Sequence, residues 1–492
     1  MSERSSEKRR GRRGIVVIML SMMVAVVMLP LVGLAVDGSI LYLVQAKLSA
    51  AVDAASLAAA RSLSVGLDIS TQTASATATA QSFFTGNFPT GYWNTTNLSL
   101  TTAVAQTAYK TRTVTMQASV TVPLTFMRIL GQTGSTVVAQ GQASRRDVVM
   151  IVVIDRSGSM QAAGVCGTMI AAAQNFVGYF SNGRDEIGLV TFIDGYNLSY
   201  APTLNFDSNV PSLTTVIGQV NCFGDTGTAG ALNQAYAQLL AVNEPGALNL
   251  IVFFTDGQPN GIAANFPVKT HADTRYNSYP NNTASLTSTP ASNCSSTTTL
   301  QGEMAWWPAV DYSGPPTPTG DTEGLFAVTS SSDSTTSEQV ASGLTGCAMA
   351  SNQGAMRKDV AYIPAADLYL NAVTGYLSFA STDLYPSGNP YVGQIRVDTP
   401  TAVVGASVNA ADNQATAIRN DPNLIPVIYS IGLGGTTSQP IDATFMERLA
   451  NDPRSPIYNS AKPSGEYVYS PTATDLTGAF QQVASEILRI SQ

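Results

Sequence analysis

Ile15 to Val36, "IVVIMLSMMVAVVMLPLVGLAV", passes through 22 positions without a charged side chain. As a helix this run would extend about 33 Å, enough to cross the hydrocarbon core of a bilayer. Pro30 is tolerated there, because freed backbone groups in membrane helices find other partners. The run is longer than the apolar part of a secretory signal and no A-x-A site follows it, so an uncleaved anchor is expected. The fourteen residues before it, "MSERSSEKRRGRRG", hold six basic and two acidic side chains. Basic residues on this flank, against Asp37 on the other, predict a cytoplasmic N-terminus with everything after residue 37 outside.

The N-terminal fourteen residues carry +4 of a total of −8, which leaves −12 for the rest of the chain. Nucleic acid is therefore not an expected partner, since the part that folds shows no basic stripe. A length of 492 residues implies two or three domains. Cys166, Cys222, Cys294 and Cys347 all follow the anchor. An even number in an exported segment, with no zinc spacing, favours disulfides over free thiols.

After the anchor, "GSILYLVQAKLSAAVDAASLAAARSL" continues as a helix, with Leu41, Val44, Leu48, Val52 and Ala55 forming one apolar stripe. A polar helix near Ser70 to Phe84 and three alternating segments, "LSLTTAVAQT", "TRTVTMQASVTV" and "TVVAQGQAS", complete a small α+β region over 37–146. Beyond it the pattern changes. "DVVMIVVID", "EIGLVTFID", "ALNLIVFFTDG" and "IPVIYSIGLGG" read as buried strands. Helices are expected in "GVCGTMIAAAQNFVGYF", "TAGALNQAYAQLLA", "AADNQATAIRN" and "TDLTGAFQQVASEILRI". Apolar strands alternating with helices imply an α/β fold, a doubly wound and mainly parallel sheet of Rossmann-like kind. No G-x-G-x-x-G follows its first strand, which argues against dinucleotide binding.

Such sheets bind ligands at the carboxyl ends of their strands. Asp155 ends the first strand, in "DRSGSM"; Asp256 ends another, in "FFTDGQPN"; and Thr226 lies between them on the Gly-rich loop "GDTGTAGAL". With Ser157 and Ser159 they make an all-oxygen cluster suited to Mg²⁺ or Mn²⁺. Each piece alone can also be a turn or a helix cap.

Two resemblances sharpen this reading. The stretch from "RRGIVVIML" to "AAVDAASLAAARSL" resembles the N-terminal segment of TadE/TadG-type proteins of the tight-adherence (Flp) pilus system, in which a membrane helix runs into an aspartate and an alanine-rich stretch. "DRSGSM", Thr226 and "TDG" together resemble the metal-ion-dependent adhesion site of a von Willebrand factor type A domain. This second resemblance implies direct ligation by Ser157 and Ser159, by Thr226 when ligand is bound, and by Asp155 and Asp256 largely through water. A partner's Asp or Glu would complete the octahedron.

Cys166 and Cys222 flank the two metal loops and are expected to pair, with Cys294 and Cys347 as a second disulfide. Asp256 and Ile425 are separated by 168 residues, where a minimal domain needs one helix. An insertion subdomain is therefore expected over 259–404, with the type A domain over 147–258 and 405–492 and the basic tail over 1–14. "MAWWPAVDY", with Trp306 and Trp307, could offer a contact surface or pack internally. His271, the only histidine, lies in this insertion without a catalytic pattern around it.

The expected function is binding, not catalysis: a single-pass protein of the bacterial inner membrane that grips an acidic residue of a pilus or envelope protein through Mg²⁺. A surface adhesin using the same site is the second reading, and a metal-dependent hydrolase a weaker third.

Overall fold

The computed structural model describes residues 16–63, 69–108, 110–271, 273–276, 285–288, 294, 297–308, 320–334, 339–344, 346–347, 359–434 and 441–490. The basic tail over 1–14 lies outside them, as does most of the Ser/Thr-rich part of the insertion. The chain divides into two compact units, Met1–Arg146 and Asp147–Ser491.

In the first unit, helix runs from Val16 to Ser62. A π turn over Val24–Met28 leads into helix α1, Leu29–Ser62, with Pro30 in its first turn. Because the helix is continuous through this point, Pro30 removes one backbone donor from the ladder, directly after the π turn. Helix α2 (Ile69–Asn87) follows, then strands β1 (Thr96–Ala108), β2 (Thr111–Pro123) and β3 (Gly134–Arg146), paired antiparallel in that order. Val114, Met116, Ala118, Val120 and Val122 alternate along central β2 and pack with Val44, Leu48, Val52 and Ala55 of α1 and Ala76, Ala80 and Phe84 of α2. The periodicities of two and of three to four thus meet in one core.

The second unit is built on six strands. They are β4 (Val148–Asp155), β5 (Glu186–Phe192), β6 (Tyr196–Thr203), β7 (Leu248–Thr255), β13 (Val427–Leu433) and β14 (Tyr467–Ser470), in the order β14-β13-β7-β4-β5-β6. All neighbours are parallel except β5 and β6. Every residue of β4 and β7 is buried, which is why these strands carry no polar alternation. Helices α3 (Gly158–Ala162), α4 (Cys166–Val177), α5 (Leu213–Ile217), α6 (Thr228–Val242), α7 (Pro400–Arg419), α8 (Ala443–Ala450) and α9 (Leu476–Ile490) connect and cover the sheet. Met150, Val152 and Ile154 of β4 pack with α4 and α9 on one face, and Val149, Ile151 and Val153 with α6 and α7 on the other.

The insertion contributes β8 (Gly261–Pro267), β11 (Thr299–Pro308) and β12 (Gly320–Phe326), an antiparallel sheet in the order β12-β11-β8, and the pair β9 (Asp273–Tyr276) and β10 (Ser285–Ser288). Cys294 and Cys347 form a disulfide within it. Two expectations need correcting. Among the described residues the insertion has no core apart from the domain: Phe266, Met304, Trp306, Ile363 and Val397 join the same cluster as Val149, Phe192 and Leu232. The helix expected from Ala410 begins ten residues earlier, at Pro400, ahead of the expected boundary at 405. Burial around nearly all of its circumference removes the polar stripe that would have marked it. Trp306 is buried, and His271 is exposed with Nδ1 at 2.9 Å from the Thr270 hydroxyl.

Candidate metal centre

Strands β4 and β7 are hydrogen-bonded neighbours with Ile154 opposite Phe254, so their carboxyl ends emerge side by side. The chain leaves β4 towards β5 on one side and later places β7 on the other. Asp155 and Asp256 therefore flank the topological switch point where open α/β sheets bind ligands.

Four predicted residues meet there. Ser157 N donates to Asp155 Oδ1 at 2.8 Å, folding the first loop into a tight turn. The hydroxyls of Ser157 and Ser159 are 2.9 Å apart, and both donate to Asp256 Oδ1, at 3.4 and 2.8 Å. Asp155, Ser157 and Asp256 are buried and Ser159 half-buried.

Thr226 arrives on the second loop, which is stitched to the first. Gly158 N donates to Gly224 O at 2.8 Å and Phe223 N to Arg156 O at 2.7 Å. Cys166, at the start of α4, is bonded to Cys222. Thr226 is buried, but its side chain makes no hydrogen bond to the other four among the described residues. Its backbone is held from outside the loop: Thr226 N donates to Asn260 Oδ1 at 2.6 Å, and Thr226 O accepts from Asn260 N and Gly261 N. Asn260 Nδ2 donates in turn to Asp225 Oδ1 and Trp306 O, tying the loop to β11 of the insertion.

Burial pushes the Asp155 carboxyl up to about 6, against the hydrogen bonds from Thr255 and Ser157. Asp256 is pushed to about 8 by burial and then by the Asp155 charge beside it. Arg156, next to Asp155 in the chain, is buried. Its guanidinium donates to Asn221 O, Ser330 Oγ and Ser332 O, fixing the first loop to the insertion. Two hydroxyls and two carboxylates that resist ionisation together make a donor set that a hard divalent cation fits, because its charge would favour their ionised forms.

Sequence reasoning passed over several supporting residues. Thr255 donates to Asp155 Oδ2, and Asp194, pushed up to about 6 by burial, accepts from Asp225 N at 2.9 Å. Asp194 lies two residues past β5 in an Asp-Gly pair like that of Asp256, and this was its signal. Glu303 on β11 is buried with Oε1 against Gly227 and Gly261, where a Cβ on either would come within about 2.2 Å of it. Burial, then the charges of Asp194 and Asp225, raise its pKa well above the ordinary range. A lone Glu in the apolar run "QGEMAWW" was the available hint.

Comparison with known proteins agrees with this architecture. Residues 150–258 match the von Willebrand factor type A domain family, and residues 14–62 match the Flp pilus-assembly TadE/G-like family. The chain carries both segments, in that order. No curated protein matches it. Among solved structures it is similar to the PilB minor pilin from Streptococcus sanguinis, at 12% identity and TM-score 0.34 over 81% of this chain and 79% of that one. It is also similar to the vWF domain of the type V pili tip protein Mfa5 from Porphyromonas gingivalis, at 17% identity and TM-score 0.37 over 71% and 98%. A third similar structure is the pilus adhesin SpaC from Lactobacillus rhamnosus GG in its open conformation, at 12% identity and TM-score 0.35 over 80% of this chain and 34% of that one.

Proposed function

We propose that this chain is a membrane-anchored, metal-dependent protein-binding component of Flp pilus assembly. The anchor over 15–36 places its N-terminus in the cytoplasm and both folded units outside the inner membrane. Mg²⁺, or Mn²⁺, is held at Asp155, Ser157, Ser159, Thr226 and Asp256, with the serine hydroxyls as direct ligands. When bound, the ion supplies an electrophilic position for an Asp or Glu of a pilus or envelope partner. The observation that carries this reading is the single hydrogen-bonded network that joins Asp155, Ser157, Ser159 and Asp256 at two adjacent strand ends. The TadE/G-like match supports the pilus context.

The chain's own residues prepare the site. The Cys166–Cys222 bond and the Gly158–Gly224 contact hold the two loops together, and Asn260 fixes the Thr226 backbone. Preorganisation of this kind lowers the ordering cost of binding.

The test is affinity capture from the envelope with the full-length, oxidised chain in detergent. Wild type is compared with Asp155→Ala, and Mg²⁺ with EDTA. Capture of pilus proteins that disappears on both treatments is expected. Capture indifferent to metal and to Asp155 would remove the metal-gated reading, and metal-dependent binding only to host or matrix protein would replace assembly with adhesion.

A further inference from the structure

Asp37, the first charged residue after the apolar run, is buried at 2% exposure. Its carboxylate accepts three backbone hydrogen bonds, from Thr125 N at 3.1 Å, Phe126 N at 3.0 Å and Met127 N at 2.8 Å. These N–H groups open a single 3₁₀ turn, Met127–Leu130, which closes on Gly131. One helical turn back from Asp37, Gly33 lies directly beneath Phe126. A Cβ there would come within 2.5 Å of Phe126 Cβ, so only glycine lets the turn sit this close. A charged clamp and an apolar contact, four residues apart on α1, thus fix the turn to the helix.

The depth of this contact matters. Gly33 lies about 26 Å along the helix from Val16, within the ~30 Å of a hydrocarbon core. Its neighbours Leu31, Val32 and Leu34 are 57%, 56% and 51% exposed and face lipid if the helix spans the bilayer. The turn packed at this level exposes Phe126 at 41% and Ile129 at 84%, with Arg128 exposed between them. An aromatic and an aliphatic side chain beside a cationic one is the pattern of an interfacial anchor.

We infer that the Thr125–Gly131 turn is a second membrane contact, dipping Phe126 and Ile129 into the outer-leaflet interface with Arg128 at the lipid phosphates. Its occupant is the bilayer, because the surface is continuous with the lipid-facing side of the span to which it is clamped. The inference rests on the membrane span of residues 15–36 and is independent of the metal site. Its effect is to fix the first unit to the membrane at two points, the span and the turn.

The experiment uses the full chain in liposomes of phosphatidylethanolamine and phosphatidylglycerol that carry a nitroxide on the lipid. A fluorophore is placed at Ile129→Cys, with Val26→Cys inside the span as the positive control. Gln106→Cys, at the far end of the strand pair and about 40 Å away by strand rise, is the distal control. Quenching at position 129 that approaches that at position 26, with position 106 unquenched, is the expected result. Quenching at 26 but not at 129 overturns the inference while leaving the span intact, including the case in which a second copy shields the turn. Absence of quenching at 26 removes the span and the inference together, and equal quenching at 106 and 129 overturns a specific contact.

Discussion

The Thr255 hydroxyl donates to Asp155 Oδ2 at 2.5 Å across the pairing of the two central strands. Asp155 Oδ1 is already engaged by Ser157 N, so both oxygens of this carboxylate are held before any ion arrives. A group oriented in this way loses little freedom on binding metal, and its supporting partner becomes part of the site.

Thr255→Val keeps the side-chain shape and removes the donor. Loss of an outer-shell partner of this kind costs about 10–100-fold in metal affinity. Titration calorimetry with Mg²⁺ should read that weakening while the fold, followed by circular dichroism, is retained. Unchanged affinity would show that Thr255 serves packing only.

Metal binding should depend on pH with a defined sign. Asp155 and Asp256 are raised to about 6 and about 8, so at pH 6 the metal-free site holds protons that the cation must displace. Affinity rises between pH 6 and pH 8, approaching about tenfold per pH unit for each proton displaced, and binding releases protons into the buffer. Calorimetry in buffers of different ionisation enthalpy measures that release. A flat profile with no proton release would contradict the raised values.

Opening the Cys166–Cys222 bond, through Cys166→Ser with Cys222→Ser, should cost about 2–4 kcal/mol of stability, since it closes a loop with a sequence separation of 56. Urea titration measures the loss. The two ligand loops should also become separately mobile, lowering Mg²⁺ affinity in the variant under conditions where it remains folded.

Glu303→Gln tests the buried carboxyl against the second loop. Its pKa is raised in the folded chain, so below the ordinary value of 4.5 both states are protonated and the two proteins should melt alike. As the pH rises above 4.5 the unfolded wild type ionises and gains stability that the folded state does not share. Wild type therefore falls behind Glu303→Gln towards neutral pH. Equal melting temperatures at pH 4 and pH 7 in both proteins would show that Glu303 ionises freely.

The central strands of the sheet and the loops that leave them were legible in the sequence for physical reasons. β4 and β7 are buried on both faces, so each is a nearly continuous apolar run, with Asp155 at the end of β4 and Asp256 directly after β7. β6 was not legible: an antiparallel edge strand, half-buried along most of its length, lacks both the apolar run and clean alternation. The first ten residues of α7 were missed because a helix buried nearly all round has no stripe. Asn260 and Glu303 support the site through contacts set by tertiary structure. Asn260 reaches Trp306, forty-six residues away, and no local pattern announces such a pairing.

That pairing also sets an order of events during synthesis. A chain that has emerged as far as Asp256 already contains every oxygen proposed to hold the ion. It still lacks Asn260, the β11 carbonyl that Asn260 grips, the insertion segment that receives Arg156, and the strand β13 that covers the open side of β7. Readiness to engage a partner is thereby deferred to the last third of synthesis.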